Sequence, residues 1–251
     1  TGDGVNDILA LKDADCSVAM ASGSEATAQA AQIVLLDSDF SRMPEIVLEG
    51  RRVVNNVQRS ASLFLVKNLF SLLLTIFSTV LMISYPLMPS QVSLISMFTI
   101  GIPGFLLALE PNKSRIKGHF LGNVLLKALP AGLTDFFAVS ALVICGHVFN
   151  IPSTDIATAS TLLIAVVGFM IMIKISHPFN NFKYGILALN IFGLIFCGLF
   201  LDNLFAMSDM SNICILLTIV FGFAAESMFR YITIFVEFIQ NRMRKKKNAL
   251  R

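Results

Sequence analysis

A chain of 251 residues that is 55% hydrophobic and only 14% charged carries more apolar surface than a soluble core of its size hides, since soluble domains average about 45–50% apolar and about 25% charged. A purely soluble globular domain is therefore excluded, and a bilayer is the natural solvent for the surplus. The net charge of +3 is small, so where the charges fall matters more than their sum.

The chain opens Thr1-Gly2-Asp3-Gly4-Val5-Asn6-Asp7, with no Met and no signal-peptide pattern, which predicts a fragment or a truncated reading frame. Gly2 and Gly4 let backbone amides approach an anion closely. Asp3 and Asp7 offer hard oxygen to a cation such as Mg²⁺, which takes one or two carboxylates and keeps waters. A loop leading into a helix also suits a phosphoryl group. Spacing alone leaves a plain Asp/Gly/Asn turn equally open.

Small α/β structure follows. Residues 17–21 and 33–36 are apolar runs of strand length, and Ser24 is placed to cap a helix running through about residue 31. Residues 40–60 carry Met43, Ile46, Val47, Val54 and Val57 at helical spacing and form a stalk directed at the membrane. Six apolar stretches long enough to span come next, at 61–84, 92–109, 124–148, 157–175, 182–201 and 213–239. The second is the shortest and is broken by Gly101, Pro103 and Gly104.

Basic residues alternate with the spans. Arg51, Arg52 and Arg59 precede the first. Lys113, Arg115 and Lys117 follow the second. Lys174 and Lys183 flank the turn after the fourth, and Arg242, Arg244, Lys245, Lys246, Lys247 and Arg251 follow the sixth. The other three connections hold no Lys or Arg but contain Asp155, Asp202 and Asp209. The positive-inside rule then predicts that both ends are cytoplasmic. The basic tail reads as an anchor to anionic headgroups, and its juxtamembrane place argues against nucleic acid as a partner. Cys16, Cys145, Cys197 and Cys214 are scattered, with no CxxC pair, and read as reduced small hydrophobes.

Polar groups inside spans are costly and are functional candidates. Lys67 and Asn68 lie in the first span, and Ser96, Thr99 and Pro103 in the second. Pro103 removes a helix hydrogen bond, which predicts freed, unwound carbonyls beside side-chain oxygens and hence a cation site. Interhelical glue remains the other reading for Asn68, Ser96 and Thr99, and snorkelling the other reading for Lys67. Asp135 and Glu226 are read first as packing or headgroup contacts, with a direct transport role as the lesser alternative. Glu110 is expected to pair with Lys113 or Arg115.

The opening motif, followed by Leu9-Ala10-Leu11-Lys12, Ala19-Met20, Ser22-Gly23, Ala30-Ala31, Val34-Leu35, Asp39-Phe40, Glu49-Gly50-Arg51 and Asn55-Asn56, resembles the hinge motif and stalk of P-type ATPases. The six spans with a Pro-interrupted second one resemble the family's C-terminal membrane block. Ala108-Leu109-Glu110-Pro111-Asn112 looks like a bacterial cation-pump branch. The resemblance implies a polytopic α-helical membrane protein with six transmembrane helices, preceded by part of an α/β HAD-like (Rossmann-like) phosphorylation domain. It implies a phosphorylation-domain part at 1–39, a stalk helix at 40–60 and a transmembrane domain with a basic tail at 61–251.

The implied roles are Mg²⁺ binding by Asp3, and more weakly Asp7, with Asn6 and Asp7 ordering the phosphate and attacking water beside Gly2 and Gly4. ATP would be bound mostly by upstream domains, since the phosphorylated aspartate and nucleotide domain of the family are not in this sequence. The ion pathway would run past Lys67, Asn68, Ser96, Thr99 and Pro103. Against calcium pumps of the family, Ser71 and Ile100 stand where acidic ligands are expected. Lys67-Asn68 is similar to a pair in gastric-type proton pumps. The expected partners are a transported cation, the lipid bilayer of a bacterial plasma membrane and the missing N-terminal pump domains. A lipid-flipping P-type ATPase and a non-catalytic membrane remnant are the alternatives.

Overall fold

The computed structural model describes residues 1–110, 112–116 and 118–249, without the side chains of 241 and 243–249. Pro111 of the span exit, Lys117 of the basic loop, Arg251 and the tail side chains beyond Arg242 lie outside the described residues.

The chain folds as two units, Thr1–Val53 and Val54–Arg251. In the first, a 3-10 turn Val5–Asp7 runs into α1 (Ile8–Asp13). Strand β1 (Val18–Met20), α2 (Glu25–Ala30) and strand β2 (Ile33–Leu35) follow. The strands are parallel, with Val18 opposite Ile33 and Met20 opposite Leu35. Gly2 adds an isolated parallel bridge to Ala19 on the free side of β1. Successive parallel strands require helical crossovers, and α1 and α2 supply them. The expected Ser24 cap is present, since Ser24 Oγ accepts from Thr27 N at 3.1 Å. That bond satisfies one of the amides a helix start leaves open.

The long α3 (Met43–Leu81) begins after a 3-10 turn, Phe40–Arg42, capped by Asp39. Asp39 accepts from both the hydroxyl and the amide of Ser41, which holds its carboxyl below the usual carboxylate range. Pro44 stands in the first turn of α3, where a missing N–H costs nothing. Thirty-nine residues make about 58 Å of helix, more than a hydrocarbon core of about 30 Å needs, so stalk and first span form one uninterrupted helix. Its buried positions from Gln58 onward, Arg59, Leu63, Val66, Phe70 and Leu74, fall three to four residues apart and make one face.

The second span is α4 (Pro89–Ser96), a π-helical turn Met97–Gly101, and α5 (Ile102–Ala108). Then come α6 (Phe120–Val148), α7 (Ser153–Ser176), α8 (Asn181–Phe200), a short α9 (Asp202–Phe205) and α10 (Asn212–Ala249). Among the described residues, six helical stretches are long and apolar enough to cross a membrane. The fourth buries 72% of its apolar window and the third 61%, against 17% for the sixth, so α6 and α7 form the centre of the bundle. Ala128, Ala131, Ala159 and Ala165 are almost fully covered there. Small residues let membrane helices approach closely, because lipid supplies no hydrophobic drive between them.

Two expectations are corrected. The second span does not unwind at Pro103. It stays helical and widens into a π turn, which accommodates a residue without an N–H by shifting the bonding to i→i+5. Glu110 does not pair with the basic loop. Its Oε2 lies 3.0 Å from Lys183 Nζ and its Oε1 accepts from Asn180 at 2.6 Å, which ties the end of the second span to the start of α8.

Candidate functional sites

In the first unit the opening loop is built around Asp7. Its Oδ2 accepts the backbone amides of Asp3 at 3.1 Å and Gly4 at 3.2 Å, so this carboxylate closes the loop on itself. Asp3 sits just past the Gly2 bridge, at the carboxyl end of parallel strands, where open α/β sheets bind ligands. Its carbonyl accepts the Ser24 amide at 2.9 Å. Gly23 permits that approach, because a Cβ there would stand 2.3 Å from the Asp3 carbonyl oxygen. The backbone of Asp3 is thus held on both sides while its side chain is exposed, and that side chain has no partner among the described residues.

This geometry fits Mg²⁺ held by one or two carboxylates with the remaining positions on water: Asp3 offers both oxygens and Asp7 its Oδ1. A site enclosed by protein ligands is not what the loop builds, since no group of three or more His, Cys, Asp or Glu residues stands together among the described residues. Asn6 is exposed in the 3-10 turn.

In the second unit a cavity of about 40 Å³ lies between the first four spans, lined by Lys67, Ser71, Ser96, Thr99 and Asp135 among apolar neighbours. Ser96 Oγ donates to Val92 O at 2.6 Å and Thr99 Oγ1 to Ile95 O at 2.8 Å. With their protons so committed, both hydroxyls present lone pairs only. Gly168 of α7 brings that helix against the π turn, since a Cβ there would stand 2.7 Å from Thr99 Cγ2. Lys67 is half-buried and has neither hydrogen bond nor ion pair among the described residues. Asp135 is 1% exposed and its Oδ1 is buried with no hydrogen-bond partner. An acceptor left so is expensive and marks a place for something that binds it.

Of the sequence-predicted pathway residues, Lys67, Ser96 and Thr99 come together on this cavity. Pro103 is buried one turn on and shapes it through the π turn. Asn68 is exposed and is not among the lining residues. Asp135 joins them, although from sequence it reads as a packing or headgroup contact. The available signal is an acid amid Ala131–Phe137 in an apolar run, but no periodicity tells which way it faces. Glu226 is exposed.

The fold and these sites define an integral membrane protein built on six apolar helices, with a small parallel α/β unit at its start. No family model matches the chain. It is 38% identical over 208 residues, 80% of its length, to the probable cation-transporting ATPase exp7 of Streptococcus pneumoniae, of which it covers 27%. It is 39% identical over 194 residues, 72% of its length, to the calcium-transporting ATPase CtpE of Mycolicibacterium smegmatis, of which it covers 24%. A calcium-transporting ATPase of Bacillus subtilis is 32% identical over 111 residues, 44% of this chain and 12% of that protein. The chain belongs to the P-type cation-transporting ATPases and matches a C-terminal membrane part of them. It spans about a quarter of the length of the first two relatives.

Proposed function

We propose that the chain is the C-terminal part of an ATP-driven P-type pump that moves a small inorganic cation across a bacterial plasma membrane through an aspartyl-phosphate intermediate. Residues 1–39 are the end of a HAD-like phosphorylation domain, 40–60 a stalk and 61–251 the transmembrane domain, with both ends cytoplasmic. Asp3, assisted by Asp7, holds the Mg²⁺ that neutralises charge on the transferring phosphoryl group. Asn6 orders the phosphate and the attacking water, and the Gly2 and Gly4 amides border them. ATP is bound mostly by domains outside this chain. The stalk, continuous with the first span, passes the phosphoryl state to Lys67 as a rigid element.

The observation that carries this reading is the intramembrane cavity. It offers one unsatisfied carboxylate, three hydroxyls and an ammonium with no partner around a volume of about 40 Å³. A water-sized occupant needs on the order of 10–15 Å³, whereas pockets for organic ligands run to roughly 300–1,000 Å³. A dehydrated inorganic ion suits this size, and oxygen ligands suit a hard cation. Asp135 supplies the negative charge, and Lys67 a fixed positive charge that limits how many ions enter together. Relatives named as calcium-transporting put calcium first among the candidates. With only one carboxylate here, further ligands come from helices outside the chain, as the six to eight oxygens of Ca²⁺ require.

Lipid flipping is the second reading, and the cavity's size weighs against it. Dephosphorylation of the phosphoenzyme in a complete pump carrying this chain, measured with cations and with lipids in turn, separates the two. Cation-stimulated turnover is expected. Stimulation by a lipid headgroup alone would overturn the cation reading, and no phosphoenzyme at all would favour a non-catalytic remnant.

A further inference from the structure

A larger pocket, of about 410 Å³, opens at the basic end of the helix bundle. It is walled by α3 near Gln58, the segment after α5, the first turns of α6, the last turn of α7 and Gln240 of α10. Arg59, Arg115, Lys127 and Lys174 line it, and among the described residues no Asp or Glu does.

The charges are poorly compensated. Lys127 stands close enough to Arg59 and Lys174 to be repelled by both and has no partner among the described residues. Arg59 is 8% exposed, and its Nη1 donates to Leu107 O at 3.1 Å, a neutral acceptor. Glu110, the carboxylate that acts on Arg59, is held by Lys183. Among the described residues, Lys174 alone of the four has a carboxylate of its own, Glu237 at 2.9 Å. Gln58 adds an independent donor: it is 6% exposed, and its buried Nε2 has no hydrogen-bond partner among the described residues. The wall therefore presents an unsatisfied amide donor, a guanidinium and ammonium groups toward one recess.

Like charges gathered in a half-buried recess favour an anion that neutralises them. Several N–H donors converging, Arg among them, suit the oxygens of a phosphate. We propose that this pocket binds a phosphate group carried by the headgroup of an anionic phospholipid. The lipid source follows from position. The pocket lies where the apolar stretches of five spans end, and Ile116 and Ile175 share its wall. Basic pockets at the ends of membrane helices meet anionic headgroups at that level. The inference concerns the membrane unit alone and does not depend on which cargo the pump carries.

The test is native mass spectrometry of the 251-residue chain in detergent, titrated with phosphatidylglycerol and, separately, phosphatidylcholine. Wild type is expected to retain phosphatidylglycerol preferentially. Lys127→Gln, which removes an exposed charge, and Gln58→Glu, which adds a repelling one, are each expected to weaken that binding by about fivefold, the order of one basic contact at a membrane surface. Lys113→Gln, in the neighbouring segment but off the pocket wall, is expected to leave it unchanged. Thermal unfolding in micelles checks that the variants fold, and Lys174→Gln replaces either one that does not. Equal phosphatidylglycerol binding by wild type and pocket variants, or equal binding of the two lipids, overturns the proposal. Displacement of the lipid by micromolar inorganic phosphate overturns the lipid as the source.

Discussion

Asp3 and Asp7 are four positions apart and do different things. Asp7 Oδ2 is committed to two amides of its own loop, so it shapes, while Asp3 points outward and is available to a metal. In a complete pump, Asp3→Asn is expected to abolish Mg-dependent phosphoenzyme, because the amide takes away the charge the cation needs. Asp7→Asn is expected only to reduce it, since the asparagine carbonyl still accepts from the loop amides. Gly23→Ala is expected to reduce it too, by driving a Cβ against the Asp3 carbonyl. Phosphoenzyme levels from labelled ATP check all three. Equal losses in Asp3→Asn and Asp7→Asn would contradict the division of roles. The Asp/Gly/Asn cluster is visible in the sequence, but not which carboxylate folds back, because that depends on the 3-10 turn that brings Asp7 over Asp3. Likewise Glu110 finds Lys183 rather than Lys113, since helix packing, not sequence proximity, chooses the partner.

At the scale of elements, the π turn at Met97–Gly101 sets which way the second span faces. A π turn holds one more residue than the α turn it replaces, so reverting it rotates the preceding residues by about 100°. Pro103→Ala restores the missing N–H and removes the ring. It is expected to let the span become regular α-helix, turning Ser96 and Thr99 off the cavity and weakening cation-stimulated phosphorylation while the protein still folds. Unchanged cation dependence would show that Pro103 does not set the face. Ser24→Ala is expected to cost about 0.5–2 kcal/mol of local stability through loss of the α2 cap, read by hydrogen exchange at the Thr27 amide.

The Ser24 cap, both strands and the six spans are legible in the sequence because each rests on local chemistry or on a long apolar run. The π turn is not, since Pro103 is compatible with unwinding, kinking or a wider turn. The orientation of Asp135 is not either, because α6 is apolar all round and offers no face to read.

Across the whole molecule, the proposed roles are phosphate sensing at the Asp3 loop and cation binding at the cavity lined by Lys67 and Asp135, with nucleotide binding left to domains outside this chain. The purified 251-residue chain is therefore expected not to hydrolyse ATP, and Mg-dependent turnover by it would refute that assignment. The arrangement of charge in the membrane makes the sharper claim. If Asp135 is the anionic ligand of the transported ion, losing its charge removes about 1.5–3 kcal/mol of binding, on the order of tenfold to a hundredfold in affinity. The measurement that tests this most directly is the cation concentration giving half-maximal phosphoenzyme in a complete pump, wild type against Asp135→Asn. The account predicts a shift of that size to higher concentration with the maximal phosphoenzyme level preserved. An unchanged concentration with normal phosphoenzyme would contradict it.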